Sequence, residues 1–245
     1  MNLATDHRLA PPRLAPPATP SRIPLWLKLA FTGFMAVLVP VYWSNYGPTN
    51  FLYFCDVALF LTLVGLWAES RLLLSMCAVG ILAPQALWVA DFAVQLTGHR
   101  LFGMTAYMFD GNRSLFLRGL SLFHGWLPFL LVAVVARLGY DRRALPLWTV
   151  LAWTLCLVSF FFLPPAGAQL ADPKTPVNID YVFGLDDAKP QAWMSAGAYL
   201  LTLLAALPAL LFVPSHLVLR RLFSRSEFAE TRAEVSVAGP SSEGP

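Results

Sequence analysis

Six long apolar runs, separated by short polar stretches, dominate the chain. A helix of about 20 residues crosses the hydrocarbon core of a bilayer, which is roughly 30 Å thick. Because no water reaches the backbone there, each segment must satisfy its own amides, and a helix does so. The predicted segments are residues 25–43, 51–68, 71–93, 114–138, 145–163 and 194–219. The pattern therefore predicts an all-α polytopic membrane protein, a bundle of about six transmembrane helices.

Composition supports a lipid environment and separates the two ends from the rest. The 245 residues are 57% hydrophobic and 13% charged, about half the charge of a typical soluble domain. Residues 1–23 are rich in proline, and residues 224–245 are rich in Ser, Glu, Gly and Pro, so we expect both to be disordered tails around a membrane domain at 24–223. The apolar run that starts at Leu25 lacks a small-residue cleavage pattern, which predicts an uncleaved anchor.

Positive charge alternates between the predicted connections. The N-terminal tail, the second and fourth turns and the C-terminal tail hold most of it, whereas the other loops hold only Arg100, Arg113, Lys174 and Lys189. Since Lys and Arg remain on the cytoplasmic side, we expect a cell (inner) membrane protein with both termini in the cytoplasm. The 17 Lys and Arg residues form no basic stripe, which argues against a nucleic-acid partner. Membrane lipids are the expected partners, and no oligomeric state is favoured.

Polar side chains within the predicted helices are the candidates for chemistry, because such groups are costly in a membrane. Cys55 and His124 provide a thiol and an imidazole, the minimum pair for nucleophilic acyl chemistry. The predicted orientation places this pair in the outer half of the bilayer. The candidate orienting or substrate-binding residues of these helices are Asp56, Gln85, Asp91 and Arg118. A guanidinium such as that of Arg118 could hold a phosphate or carboxylate headgroup.

Structural roles are equally open for these residues. Cys55 could be a small buried hydrophobe, and His124 could make a structural hydrogen bond near Ser121. Asp56 and Asp91 could cap helices or pair with Arg118. No histidine and carboxylate stand three or four residues apart on a helix, and the helical histidines lie at different depths. The sequence therefore predicts no metal site, no haem and no other cofactor.

Four short fragments resemble motifs of the YwaF-like bacterial integral membrane proteins. They are Phe54-Cys55-Asp56, similar to an L-C-D element; Asp91, similar to a P-D element; Ser121 to Gly125, similar to F-x-S-H-G; and Asn178 to Phe183, similar to N-Y-M-F. That family is similar to multispan lipid acyltransferases that use cysteine and histidine, and more distantly to the androgen-induced membrane hydrolases. The resemblance implies that Cys55 is a nucleophile and His124 a base, with Asn178 and Tyr181 helping to place a substrate.

The leading expectation is a membrane-embedded lipid acyltransferase or lipid ester hydrolase that uses Cys55 and His124. The alternative is a non-enzymatic protein that binds a lipid or partner helix through a polar cavity in its outer half. Transport of a solute would need a polar path across both halves. The candidate polar residues are confined mainly to one half, which counts against transport.

Overall fold

Helices account for every regular element in the computed structural model, which describes residues 22–172 and 174–223. The helices are α1 (Leu25–Tyr46), α2 (Phe54–Trp67), α3 (Arg71–Leu96), α4 (Leu115–Leu120), α5 (Phe123–Leu138), α6 (Ala144–Phe162), α7 (Ala196–Ala206) and α8 (Val213–Phe223). Three 3₁₀ turns at Pro48–Leu52, Ala106–Phe109 and Ile179–Tyr181, and a π-helical turn at Leu207–Phe212, complete them. The all-α polytopic architecture is confirmed. The predicted tails lie outside the described residues, except that Arg22 and Ile23 are described and Ile23 is buried.

Five described segments are long and apolar enough to cross a membrane: Leu25–Tyr46, Arg71–Leu96, Leu115–Leu138, Ala144–Phe162 and Ala196–Phe223. The remaining predicted segment, residues 51–68, contains α2, which has only 14 residues and is about 21 Å long. The chain nevertheless returns to the beginning of α1, because Lys28 Nζ donates to Glu69 Oε1 at 2.7 Å just after α2. Six crossings of the bundle are therefore present, one of them made by a short helix.

The two ends of the bundle differ in the length of their connections. We call the end formed by residues 47–53, 97–114 and 163–195 the loop face, and the end formed by residues 68–70 and 139–143 the turn face. At the turn face, the Arg143 guanidinium donates to Asp141 Oδ2 at 2.9 Å. The backbone N–H of Asp141 donates to Ser75 Oγ at 3.0 Å. Short, well-bonded turns at this face leave most irregular backbone at the loop face.

α3 is the central helix of the bundle and packs against α2, α5, α6 and α8. Its residues from Leu74 to Ile81 are all buried, whereas the helices around it bury only one side. Gly80 lies against the fully buried Trp148 of α6. This close contact fixes the distance between the two helices.

The predicted helix 114–138 is interrupted. α4 ends at Leu120, and Ser121 and Leu122 donate to carbonyls only three residues back before α5 begins. Gly119 and Ser121 are weak helix formers, which favours a break at this point. As a result, His124 lies in the first turn of α5 and not in the middle of a continuous helix.

Candidate functional site

Cys55 and Asp56 lie in the first turn of α2, at the loop face. The Cys55 thiol contacts Asp56 Oδ2 at 3.7 Å, and Asn50 Nδ2 donates to the same oxygen at 3.3 Å. Asp56 is buried, and its Oδ1 has no hydrogen-bond partner among the described residues. The thiol therefore has a carboxylate as its nearest polar neighbour.

Asp180 caps α2 from a distant part of the chain. Its Oδ1 accepts the backbone N–H of Phe54, the residue before Cys55, at 3.1 Å. Asp180 belongs to the 3₁₀ turn Ile179–Tyr181, and the buried side chain of Asn178 holds this turn in place. Asn178 Nδ2 donates to the Gly184 carbonyl, and Asn178 Oδ1 accepts the Phe183 N–H, each at 2.9 Å. Asn178 therefore stabilises the turn that carries Asp180.

The carboxyl of Asp180 is held in surroundings that disfavour its charge. Burial raises the pKa of Asp180 well above its usual range, the Phe54 N–H opposes this shift, and the nearby Asp56 carboxylate adds to it. Asp180 Oδ2 has no hydrogen-bond partner in the described part of the chain. Two buried carboxyls thus flank Cys55, each with one oxygen free of hydrogen bonds.

A cleft of about 890 Å³ lies at the loop face between residues 100–107 and 181–192. Tyr107 and Tyr181 belong to its lining. Burial raises the pKa of both phenols, and electrostatic interaction with Cys55 raises it further. The cleft therefore reaches residues that neighbour the thiol.

His124 is held firmly but is not bonded to Cys55. Its Nδ1 lies 2.7 Å from the Ser121 carbonyl, and its ring stacks on Phe123 at 4.0 Å and on Trp88 at 4.8 Å between centroids. A carbonyl only accepts hydrogen bonds, so Nδ1 carries the proton and Nε2 carries a lone pair. Within the described residues, no hydrogen bond joins His124 to Cys55, so the predicted pair is not preassembled.

Tyr107 lies near both predicted residues. Burial raises the pKa of Tyr107, the side chains of Ser121 and Trp88 lower it, and Cys55 raises it. Ser121 Oγ lies 2.8 Å from the hydroxyl of Tyr42 in α1. The phenol of Tyr107 therefore interacts electrostatically with Cys55 and with side chains that neighbour His124.

Asp91 is fully occupied by the loop that follows α3. Its carboxylate accepts the N–H groups of Phe102, Gly103 and Thr105 and the hydroxyl of Thr105, at 2.6–3.0 Å. Arg118 donates instead to the Met108 carbonyl at 2.9 Å. The predicted alternative in which Arg118 pairs with Asp56 or Asp91 is not formed among the described residues, because the loop amides take the Asp91 carboxylate.

Gln85 lies in the middle of α3 and is only 2% exposed. Neither atom of its amide has a hydrogen-bond partner within residues 22–172 and 174–223. Burying an amide without hydrogen-bond partners costs free energy. A polar group of a ligand that bonded to this amide would remove that cost. No cluster of three or more His, Cys, Asp or Glu residues in the same ranges is arranged to hold a metal ion.

The structure adds Asp180, Tyr107 and Asn50 to the residues singled out from the sequence. Asp180 carries a weak sequence signal, because Asn and Asp adopt the left-handed backbone conformation of such turns more readily than other residues. Tyr107 lies in a loop without periodicity, and no pattern distinguishes it. Asn50 is near Asp56 in the chain, whereas Asp180 and Tyr107 come from distant segments.

Comparison of the chain with protein families, with curated proteins and with solved structures gives no match. The resemblance to YwaF-like proteins therefore depends on the four short fragments alone.

Proposed function

We propose that this protein is a membrane-embedded lipid acyltransferase or lipid ester hydrolase with Cys55 as its nucleophile, related to the YwaF-like proteins. The observation that carries the proposal is the position of Cys55, in the first turn of α2, in contact with Asp56 and beside tyrosines of the loop-face cleft. A neighbouring base can take the thiol proton as the sulfur attacks.

The reaction divides into two halves. In the first, the thiol proton passes to a base, the sulfur bonds to the acyl carbon, the ester C–O bond breaks, and the proton ends on the departing alcohol oxygen. Asp56 Oδ2 contacts the thiol and takes the proton first. Asp56 then passes the proton to His124 Nε2, which carries the lone pair, once the bound substrate brings the groups within reach, and His124 delivers it to the leaving alcohol. In the second half, the oxygen of water or of a lysolipid hydroxyl bonds to the acyl carbon, the C–S bond breaks, and the proton of that hydroxyl passes to the sulfur, which releases a fatty acid or a new ester.

Lipid binding without turnover is the second candidate. It is favoured by the contact of Cys55 with Asp56 in place of His124, and by the unpartnered amide of Gln85 within the bundle. In that case the cleft and the buried polar groups hold a lipid headgroup, and Cys55 only packs.

The test uses purified protein in nanodiscs that contain ester phospholipids. We expect Cys55→Ala to lose more than about 10³-fold of the rate of fatty-acid release or acyl transfer. Cys156→Ala is the matched control, because this thiol is fully buried in α6 and should leave the rate unchanged. An acyl adduct on the Cys55 peptide, detected by mass spectrometry, would identify the intermediate.

Two outcomes contradict the proposal. If Cys55→Ala keeps the wild-type rate, Cys55 is not the nucleophile. If the wild-type protein shows no turnover but retains bound lipid through purification, the binding function replaces the enzymatic one.

A further inference from the structure

We propose that Asp180 is a further catalytic residue, a neutral carboxylic acid that donates a hydrogen bond to the oxyanion formed when Cys55 attacks the lipid ester. This inference rests on the proposed function and adds a residue that the sequence did not single out. Four observations support it: the hydrogen bonding of the carboxyl, the strained turn that holds it, the charges around it, and its place beside Cys55.

The hydrogen bonding of Asp180 assigns different roles to its two oxygens. Oδ1 accepts the Phe54 N–H at 3.1 Å, whereas Oδ2 has no partner among the described residues although Asp180 is only 6% exposed. A protonated carboxyl has one accepting carbonyl oxygen and one donating hydroxyl. Because Oδ1 accepts, the proton belongs on Oδ2, where no described group accepts it.

The turn that carries Asp180 has a strained backbone. Asn178, Asp180 and Tyr181 have φ values of 52°, 58° and 59°, in the left-handed region that favours glycine. Strain of this kind persists only where surrounding contacts enforce it. The two backbone hydrogen bonds of the Asn178 side chain supply those contacts. The turn therefore presents Asp180 rigidly to the N-terminus of α2.

The charges near Asp180 favour its neutral form. The titratable groups that interact with it are Asp56 and Cys55 of α2, Tyr53 just before α2, the adjacent Tyr181, and Cys156 of α6. None of these groups is a cation, and burial together with the Asp56 carboxylate raises the pKa of Asp180. These surroundings favour the O–H donor, which is lost as the pH rises through that raised pKa.

Asp180 keeps its proton throughout the catalytic step. The Cys55 sulfur adds to the ester carbonyl carbon, and the carbonyl oxygen becomes an oxyanion. Asp180 Oδ2–H donates a hydrogen bond to that oxyanion and keeps its proton. When the carbonyl re-forms, the C–O bond to the alcohol breaks and the alcohol leaves with the proton that Cys55 released. Related neutral acids gain their donor role from apolar surroundings.

Asp180→Asn tests the donor role directly. Asparagine keeps an accepting oxygen for the Phe54 N–H and replaces the O–H with an N–H donor that does not titrate. We expect it to retain activity within about tenfold of wild type, and to lose the alkaline fall of the pH–rate profile. Asp180→Ala should lose about 10²- to 10³-fold. Asp172→Asn is the control, since Asp172 is exposed and lies outside the cleft lining.

Alkylation of Cys55 by a maleimide gives a second readout that needs no turnover. Above the pKa of Asp180, its negative charge opposes thiolate formation in the wild-type protein. Asp180→Asn removes that charge, so the Cys55 peptide should be labelled several-fold faster at alkaline pH, with little change at pH 6.

The outcomes separate the two proposals. An inactive Asp180→Asn protein that still folds, or one whose pH–rate profile and alkylation match wild type, overturns the donor role while Cys55 chemistry stands. A wild-type protein without turnover removes both the proposed function and the oxyanion role. In that case the alkylation profile shows only whether Asp180 holds a proton beside Cys55.

Discussion

At Gly80, α3 lies directly against the Trp148 ring of α6. A Cβ added at Gly80 would overlap Trp148 Cε2, and Trp148 is fully buried, so its ring has no space into which to move. Gly80→Ala must therefore push the two helices apart. We expect it to lower the free energy of unfolding by about 1–3 kcal/mol, measured by thermal unfolding in detergent.

Gly33→Ala in α1 is the matched control for this prediction. Nothing lies within 4 Å of a Cβ added there, and alanine is the better helix former, so we expect no loss of stability. Trp148→Phe should restore part of the stability of Gly80→Ala, because the smaller ring makes room for the methyl group. Equal losses from Gly80→Ala and Gly33→Ala would show that packing against Trp148 is not the cause.

The sequence predicts single residues of the site unevenly. Cys55 and Asp56 lie together as neighbours in the chain, and their contact follows from the first turn of α2. Asp91 was also singled out, yet its carboxylate binds the loop amides of residues 102–105. Hydropathy shows that a buried carboxylate is costly but does not show which donors will reach it. Asp180, more than 120 positions from Phe54, lies beyond what sequence spacing reveals.

At the level of elements, apolar length predicts where helices lie but not where they break. The predicted segment 71–93 corresponds to α3, Arg71–Leu96, with a difference of three residues at one end. The segment 114–138 instead divides at Ser121 and Leu122. The break depends on local hydrogen bonds and on the bond between Ser121 and Tyr42. It leaves the length of the apolar run unchanged, so hydropathy does not reveal it.

The last membrane segment contains a helix irregularity that a neighbouring helix compensates. Pro208 has no N–H, so the Leu204 carbonyl lacks its usual partner four residues later. The Trp153 indole of α6 donates to that carbonyl at 2.8 Å. Backbone groups freed by proline in a membrane helix need such a partner. We expect Trp153→Phe to lower the free energy of unfolding by about 0.6–1.7 kcal/mol, measured by thermal unfolding in the same detergent.

A double-mutant cycle distinguishes the hydrogen bond from ring packing. Pro208→Ala restores an N–H for the Leu204 carbonyl, so Trp153→Phe should cost much less in that background. Trp126→Phe is the control, because the Trp126 ring is similarly exposed and packs edge-to-face against Phe34, with no hydrogen bond from its indole among the described residues. If Trp153→Phe lowers the free energy of unfolding equally in the wild-type and Pro208→Ala backgrounds, the effect comes from ring packing and not from the hydrogen bond.

For the whole molecule, charge is separated along the bundle. In the described part, most buried or loop carboxylates belong to the loop face, whereas the turn face is richer in arginine. Among the described residues, the loop-face acids are Asp56, Asp91, Asp110, Asp172, Asp180, Asp186 and Asp187, against the cations Arg100, Arg113, Arg118, Lys174 and Lys189. The turn-face cations are Arg22, Lys28, Arg71, Arg137, Arg142, Arg143, Arg220 and Arg221, against the acids Glu69 and Asp141. The number of crossings follows from the sequence, because six apolar runs and alternating charge agree. The short α2 fits this count, since Glu69 meets Lys28 beside the start of α1.

This separation predicts the orientation of the protein in a bacterial cell membrane. Lys and Arg near helix ends remain in the cytoplasm, so the turn face and both termini should be cytoplasmic and the loop face external. A C-terminal green fluorescent protein fusion should fluoresce, and a C-terminal alkaline phosphatase fusion should be inactive. Alkaline phosphatase inserted after Leu185, an exposed loop-face residue, should be active. An active C-terminal phosphatase would reverse the orientation. It would also place the loop face, with Cys55 and the cleft, on the cytoplasmic side, so lipid substrates would approach from the inner leaflet.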